Sequence, residues 1–454
     1  MHEYPRKSEP DLANLELEKQ AAVREMKDLL LQGRFTEALD VSEKEALSSL
    51  YDANIYHLKE LTLGETKRTS ESLEAHNTAI NLNPNAAIAY FNKGVALAGL
   101  GRHEEAIAAY DLALSLEPKD ALAYHNKGNS LAELGRYEEA LAAFGEALRL
   151  DTGLALAYCS KGAVLADLRQ YEEAIKAYEE ALHLDPAYTD AYYNKGLSLA
   201  KLGRYEEALV VYMQVLNIDP NYTTAYYDKG QCLLKLQRYE EAYLAFDQAL
   251  TIDCNYKDAY KGKGFALSKL EQPERAIDAY NEVLRLDSND IWAQKNKGLA
   301  LEELGRYEEA VTVYEQASHY DADDAELPYY KGIALDLLEQ YKAAIEAYNQ
   351  AISLNPQNQN FFNRKGHSLA MLEQYEESLA AFEQALQLSP HNVEILRNKG
   401  LCLTLLKRYE EAIKVLDQIL YLNPDDKDAY EKKGEALLAL YPYIPPLEKR
   451  EENK

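Results

Sequence analysis

The chain has 454 residues, more than a single hydrophobic core accommodates, so its length calls for several domains or a repeat array. Apolar residues make up 47%, Tyr occurs 36 times against one Trp and eight Phe, and the formal net charge is −27. So acidic a surface repels phosphate backbones and anionic leaflets; it excludes nucleic acid and membrane as general partners and leaves basic or neutral polypeptides.

In chain order, residues 1–18 are an N-terminal segment in which Met1-His2-Glu3-Tyr4-Pro5-Arg6-Lys7 leads into charged sequence and not into an apolar signal core. Residues 19–86 carry two weak copies of a unit that becomes regular further on. Gly33-Arg34-Phe35 and Ala38-Leu39 keep the frame of a copy starting at 19, and Ala79, Ile80, Leu82 and Pro84 that of one starting at 53. Met26 and Glu60 stand where the later units have Gly. Two degenerate capping repeats and a separate helical hairpin both satisfy this pattern.

From 87 to 426 ten regular units follow. Lys-Gly pairs recur from Gly94 to Gly434 at a constant spacing of 34 residues. With that glycine numbered eight, units begin at 87, 121, 155, 189, 223, 257, 291, 325, 359 and 393, and a half unit at 427. Leu fills positions eleven and fourteen in every copy, Ala fills position twenty in nine of ten, and position 24 is Tyr or Phe in nine of ten, with Leu416 the exception. The spacing predicts helix A over positions one to fourteen, a short turn such as Leu134-Gly135-Arg136, and helix B to position 30. Gly eight and Ala twenty let the two helices approach closely, and acid pairs such as Glu138-Glu139 suit the positive end of helix B. Residues 427–440 form a C-terminal capping helix, and Tyr441-Pro442 with Pro445-Pro446 ends it, leaving 441–454 as a tail expected to be disordered.

An aromatic at four, Gly at eight, Ala at twenty, an aromatic at 24 and Pro closing six of ten units resemble the tetratricopeptide repeat over residues 87–440. The resemblance implies an all-α, right-handed superhelical solenoid of antiparallel helix pairs. It also implies a protein-interaction scaffold, with positions two, five, six, nine, twelve and thirteen of helix A lining a concave groove for a partner peptide or helix. Lysine at position seven, from Lys93 to Lys433, departs from the family's apolar residue; buried stems with ammonium groups reaching nearby acids account for it better than an anion-binding ladder does.

Position six is Asn at Asn92, Asn126, Asn194, Asn296 and Asn398, and resembles the asparagine ladder of O-linked N-acetylglucosamine transferase. An amide can pair with a peptide backbone as donor and acceptor, though a merely solvated face fits as well. Position five reads Phe91, His125, Cys159, Tyr193 and Tyr227, then Lys261, Lys295, Tyr329, Asn363 and Arg397, and Arg364 adds a cation at position six. This predicts an apolar first half and a cationic second half, against the alternative of neutral drift. Trp292 lies on the same stripe, either as an exposed interface anchor or folded down into a gap left by Gln294. A carboxylate clamp for chaperone tails is not matched, because Ser160 and Asp190 follow His125 and Asn129 where the pattern needs Asn and Lys.

No catalytic domain is left unassigned, the nine His lack ligand or triad spacings, and no cofactor or metal is expected. The cysteines Cys159, Cys232, Cys254 and Cys402 read as reduced, buried thiols of a cytoplasmic protein. Two local departures, Pro273 and Pro328, predict a change of curvature around the unit at 291. The rival to a binding scaffold is self-assembly through an exposed array end, which a concentration-dependent mass would reveal.

Overall fold

The computed structural model describes residues 69–441 together with 21, 24–29, 32, 34 and 41. The expected segment 1–18, most of the weak copies before 69, and residues 442–454 lie outside the described residues. Within them the elements are helices. Residues 24–29 are helical, and of the helices with described bounds Thr69–Leu82 comes first, ten helix pairs follow, and Lys427–Leu440 comes last. Helix A covers positions one to thirteen and helix B positions 17 to 30, as in Thr189–Lys201 with Tyr205–Ile218. Within each compact unit successive helices pack on one another, as an all-α repeat solenoid requires. Helix A starts one residue late at Glu326–Leu337, and Pro328 sits in its first turn, where no intrahelical donor is required. The chain divides into two compact units, the first ending at Asp228 and the second beginning at Lys229.

In both units the core is a column of position-24 rings. Tyr178 and Tyr212 in the first unit and Phe246, Tyr280, Tyr314 and Tyr348 in the second are fully buried. These rings explain the glycine at position eight. A Cβ at Gly196 would lie 2.6 Å from the Tyr212 ring, and one at Gly230 would lie 2.7 Å from the Phe246 ring. The glycine therefore makes room for the aromatic of its own helix B, while the fully buried Ala208 and Ala242 keep the backbones close. Where Leu416 replaces the aromatic the constraint disappears: a Cβ at Gly400 would meet Val415 at an ordinary 3.7 Å.

The turn between the helices uses the left-handed region at position fifteen in every full unit. Gly takes it at Gly101, Gly135, Gly203 and Gly305, and Arg169, Gln237, Glu271, Glu339, Glu373 and Lys407 take it with φ of 56–60°. At the helix B start the second acid of the pair is clamped by the preceding arginine. Arg136 grips Glu139 through two bonds of 2.7 Å, and Arg204, Arg238, Arg306 and Arg408 repeat the motif. Such exposed pairs are screened by solvent and add little stability.

The position-seven lysines cross from one repeat to the next. Lys127 lies 2.6 Å from Asp111, Lys195 2.7 Å from Glu179, Lys263 2.5 Å from Asp247, Lys331 2.8 Å from Glu315 and Lys399 3.0 Å from Glu383. Their side chains are only 20–26% exposed, so the stems are packed and the ammonium groups reach the acids at position 25 of the preceding helix B. The cysteine expectation needs one correction. Cys159, Cys232 and Cys402 are buried, but Cys254 is exposed because position 32 lies in the loop between repeats.

Candidate interaction faces on helix A

Several side chains at position five do not stand free on their stripe; they bridge to the following repeat. In the first unit His125 Nε2 lies 3.1 Å from Ser160 Oγ and 3.3 Å from Asn129 Nδ2. With the Asn129 amide donating, Nε2 is the accepting nitrogen, and burial, which pushes the His125 imidazole below its usual range, favours the same neutral form. The Tyr193 hydroxyl donates to Asp228 at 2.7 Å, and its ring lies 5.0 Å from that of Tyr222. Phe91 tilts against Tyr110 at 6.0 Å, and Tyr227 is half-buried.

The second unit's cations at position five are neutralised by acids at the start of the next repeat. Lys261 pairs with Asp290 at 2.6 Å, Lys295 pairs with Glu326, and Arg397 pairs with Asp426 at 2.9 Å and with Asp428. Asn363 likewise donates to Glu394 at 3.3 Å. These charges hold repeats together before any ligand arrives. Arg364 is exposed, and its charge acts on Glu302 and Asp336. The acids at position 34 of the same unit and at position two of the next were the sequence signal for this pairing.

The asparagines divide in their use. Asn398 donates to Asn363 at 3.1 Å, Asn296 donates to the Trp292 carbonyl of its own helix at 2.7 Å, and Asn126 is half-buried. Asn92 is half-buried. Asn194 borders an open cleft of about 380 Å³ in the first unit, between helix A of the 155 unit and helix A of the 189 unit. Ala163, Ala166 and Leu197 give it apolar walls, and Asp167, Arg169 and Lys201 add one acid and two cations to its lining. Leu197 and the two alanines lie at positions nine and twelve, which the sequence had placed on the stripe without singling them out as a pocket.

Trp292 stays 40% exposed, with its ring edge-on to Tyr280 at 5.8 Å and the Lys261 ammonium 5.5 Å from its centroid. There is no gap for it to fill. Gln294 occupies its own buried site and donates to the Ser288 carbonyl at 2.9 Å.

The second unit also holds two partly buried acids at position twelve. Tyr314 donates to Glu302 at 2.8 Å and Tyr348 to Asp336 at 2.7 Å. Burial pushes the Glu302 carboxyl up to about 7, against the smaller lowering by Tyr314 and Arg364. A carboxyl raised in the folded state stabilises it most below its ordinary value near 4.5, and that contribution is lost as pH rises toward 7. Glu302→Gln is therefore expected to raise the melting temperature at pH 8 and to leave it nearly unchanged at pH 4.5; equal shifts at both values would contradict this. Among the described residues no His, Cys, Asp or Glu group is arranged to hold a metal, and no helix is long and apolar enough to cross a membrane.

Models of the tetratricopeptide repeat match residues 87–120, 121–152 and 189–222, and further tetratricopeptide models match 164–203, 223–256, 258–290, 295–359 and 369–439. No curated protein matches the sequence. Similar solved structures include YrrB, described as a TPR protein with an unusual peptide-binding site. It is 28% identical over 41% of this chain and 95% of its own, with a TM-score of 0.37. Cut9–Hcn1, from an APC/C hetero-tetramer, is 17% identical over 91% of this chain and 95% of its own, with a TM-score of 0.42. MamA from Desulfovibrio magneticus RS-1 is 25% identical over 37% and 96%, with a TM-score of 0.36.

Proposed function

The chain belongs to the tetratricopeptide-repeat family, and from that membership we propose a protein-interaction scaffold whose helix A face in the first unit receives an extended segment of a partner protein. The observation that carries this reading is the cleft beside Asn194. It is large enough for an apolar side chain, and the Asn194 amide beside it can both donate to and accept from a peptide backbone. The net charge of −27 favours a basic or neutral segment. The position-five cations Lys261, Lys295 and Arg397 of the second unit are already paired, so an acidic ligand stretch engaging them would have to displace Asp290, Glu326 or Asp426.

A peptide selected from a displayed random library against the full chain would test this by calorimetry. Leu197→Asp puts a charge on the apolar wall and is expected to weaken the peptide by about 30-fold or more, the loss of a central anchor worth ~2 kcal/mol. Asn194→Ala should weaken it less. Unchanged affinity in both variants, with wild-type circular dichroism, would reject the cleft.

A second reading, self-assembly, is supported by the last helix. Tyr430, Leu438 and Tyr441 are 58%, 62% and 59% exposed, and Tyr430 stands at a position that is buried in the preceding unit as Leu396. It rests on an uncovered face alone and ranks below peptide reception.

A further inference from the structure

Lys427–Leu440 is helix A of an eleventh unit. In the ten full units a helix B packs on helix A and helps to close the face that carries positions four, eight and eleven. In the eleventh that face is open. Leu437 at position eleven is 38% exposed, where Leu403 of the preceding unit is 1% exposed. A Cβ at Gly434 would meet no described residue within 4 Å, and Tyr430 at position four is exposed where Leu396 is buried. Tyr430, Gly434 and Leu437, four and three residues apart, share one side of the helix, and Tyr441 follows at its end.

The chain continues from the end of this stripe. Pro442-Tyr443-Ile444-Pro445-Pro446-Leu447 carries no charge and gives way to charged sequence at Glu448. The repeat frame runs into it: Tyr443 stands at position seventeen, which is Tyr in eight of the ten full units and there starts helix B. Pro445 and Pro446 are incompatible with a continued helix B and favour an extended backbone instead. Six extended residues of this kind span about 19 Å. From Tyr430 to Tyr441 the helix runs about 16 Å. Apolar segment and apolar stripe thus match in length, and the three prolines bring no N–H that an apolar face would leave unpaired.

We propose that residues 442–447 fold back as an extended strap over the open face of the last helix, with Tyr443 beside Leu437 and Leu447 reaching Tyr430. The strap takes the place that helix B holds in the full units and closes this end of the array against a second copy. The disorder expected of the tail then begins at Glu448.

The test makes Leu437→Cys in the full chain together with Cys254→Ser, since the other three cysteines are buried, and follows alkylation of position 437 by iodoacetamide. Adding Tyr443→Ser, Ile444→Ser and Leu447→Ser removes the apolar contacts of the strap. It is expected to speed alkylation by about threefold or more at every protein concentration, as the loss of a local cover does. The three changes lie outside the described helices, so circular dichroism should stay the same. Equal rates with either tail would overturn the proposal. So would protection that disappears on dilution as the mass halves, because a second copy and not the strap would then cover the face.

Discussion

Phe246→Ala is expected to cost the second unit about 3–5 kcal/mol, the usual loss for deleting a fully buried ring. The ring has no exposure and is received by two glycines, Gly230 of its own unit and Gly262 of the next, where a Cβ would collide with it. Glycines have no side chain to swing into the space, so the cavity persists and the packing between the two repeats is lost with it. Adding Gly262→Ala should then change sign. It overpacks the native protein, but in the Phe246→Ala background it refills part of the void and recovers stability. Urea unfolding followed by circular dichroism reads both effects, as midpoints and not as a single two-state free energy, because repeat arrays lose cooperativity along their length. Strict additivity of the two substitutions would contradict the shared-cavity account.

The same substitution at one repeat position should act in opposite directions in two units. At Gly196 an added methyl would sit 2.6 Å from the Tyr212 ring, so Gly196→Ala is expected to destabilise by about 1–3 kcal/mol. At Gly400 the nearest atom is 3.7 Å away, so Gly400→Ala escapes the clash and gains up to about 1 kcal/mol from the lower backbone entropy of alanine in a helix. If both variants lost stability, the ring at position 24 would not be what keeps glycine at position eight.

The fold was legible because the unit is copied without insertion. Leu at eleven and fourteen, Ala at twenty and the aromatic at 24 each report one contact repeated along the array, and the predicted helix limits match the observed ones to within one residue at helix A. The family followed from the same positions. The candidate site was less legible for a physical reason. A helical wheel treats one helix at a time and marks position five as free. In the array the position-five cations lie beside the start of the next helix A, so Lys261, Lys295 and Arg397 meet acids 29 to 31 residues further along. The apolar-to-cationic change along the stripe is real in the sequence, but its cations are joints between repeats as well as part of a surface. The cleft beside Asn194 was hidden for the opposite reason: Ala163 and Ala166 are ordinary small residues, and only the packing of two neighbouring A helices makes walls of them.

The lysines at position seven show what chemistry alone can settle. An acidic chain with an invariant cation on a packing face points to ion pairs, and among the described residues six of them close at 2.5–3.0 Å between successive repeats. Which lysines lack a partner is equally written in the sequence, at position 25, once the contact between the two positions is known.

The central claim, that a partner is received on the helix A face of the first unit, is tested most directly by placing a photoreactive benzoylphenylalanine at residue 197 or, as a control, at residue 210. Leu197 lines the cleft, whereas Val210 is 60% exposed on helix B of the same unit. Irradiated with the selected peptide, the chain should cross-link from residue 197 and not from residue 210. Cross-linking from residue 210 alone would place recognition on helix B and contradict the account.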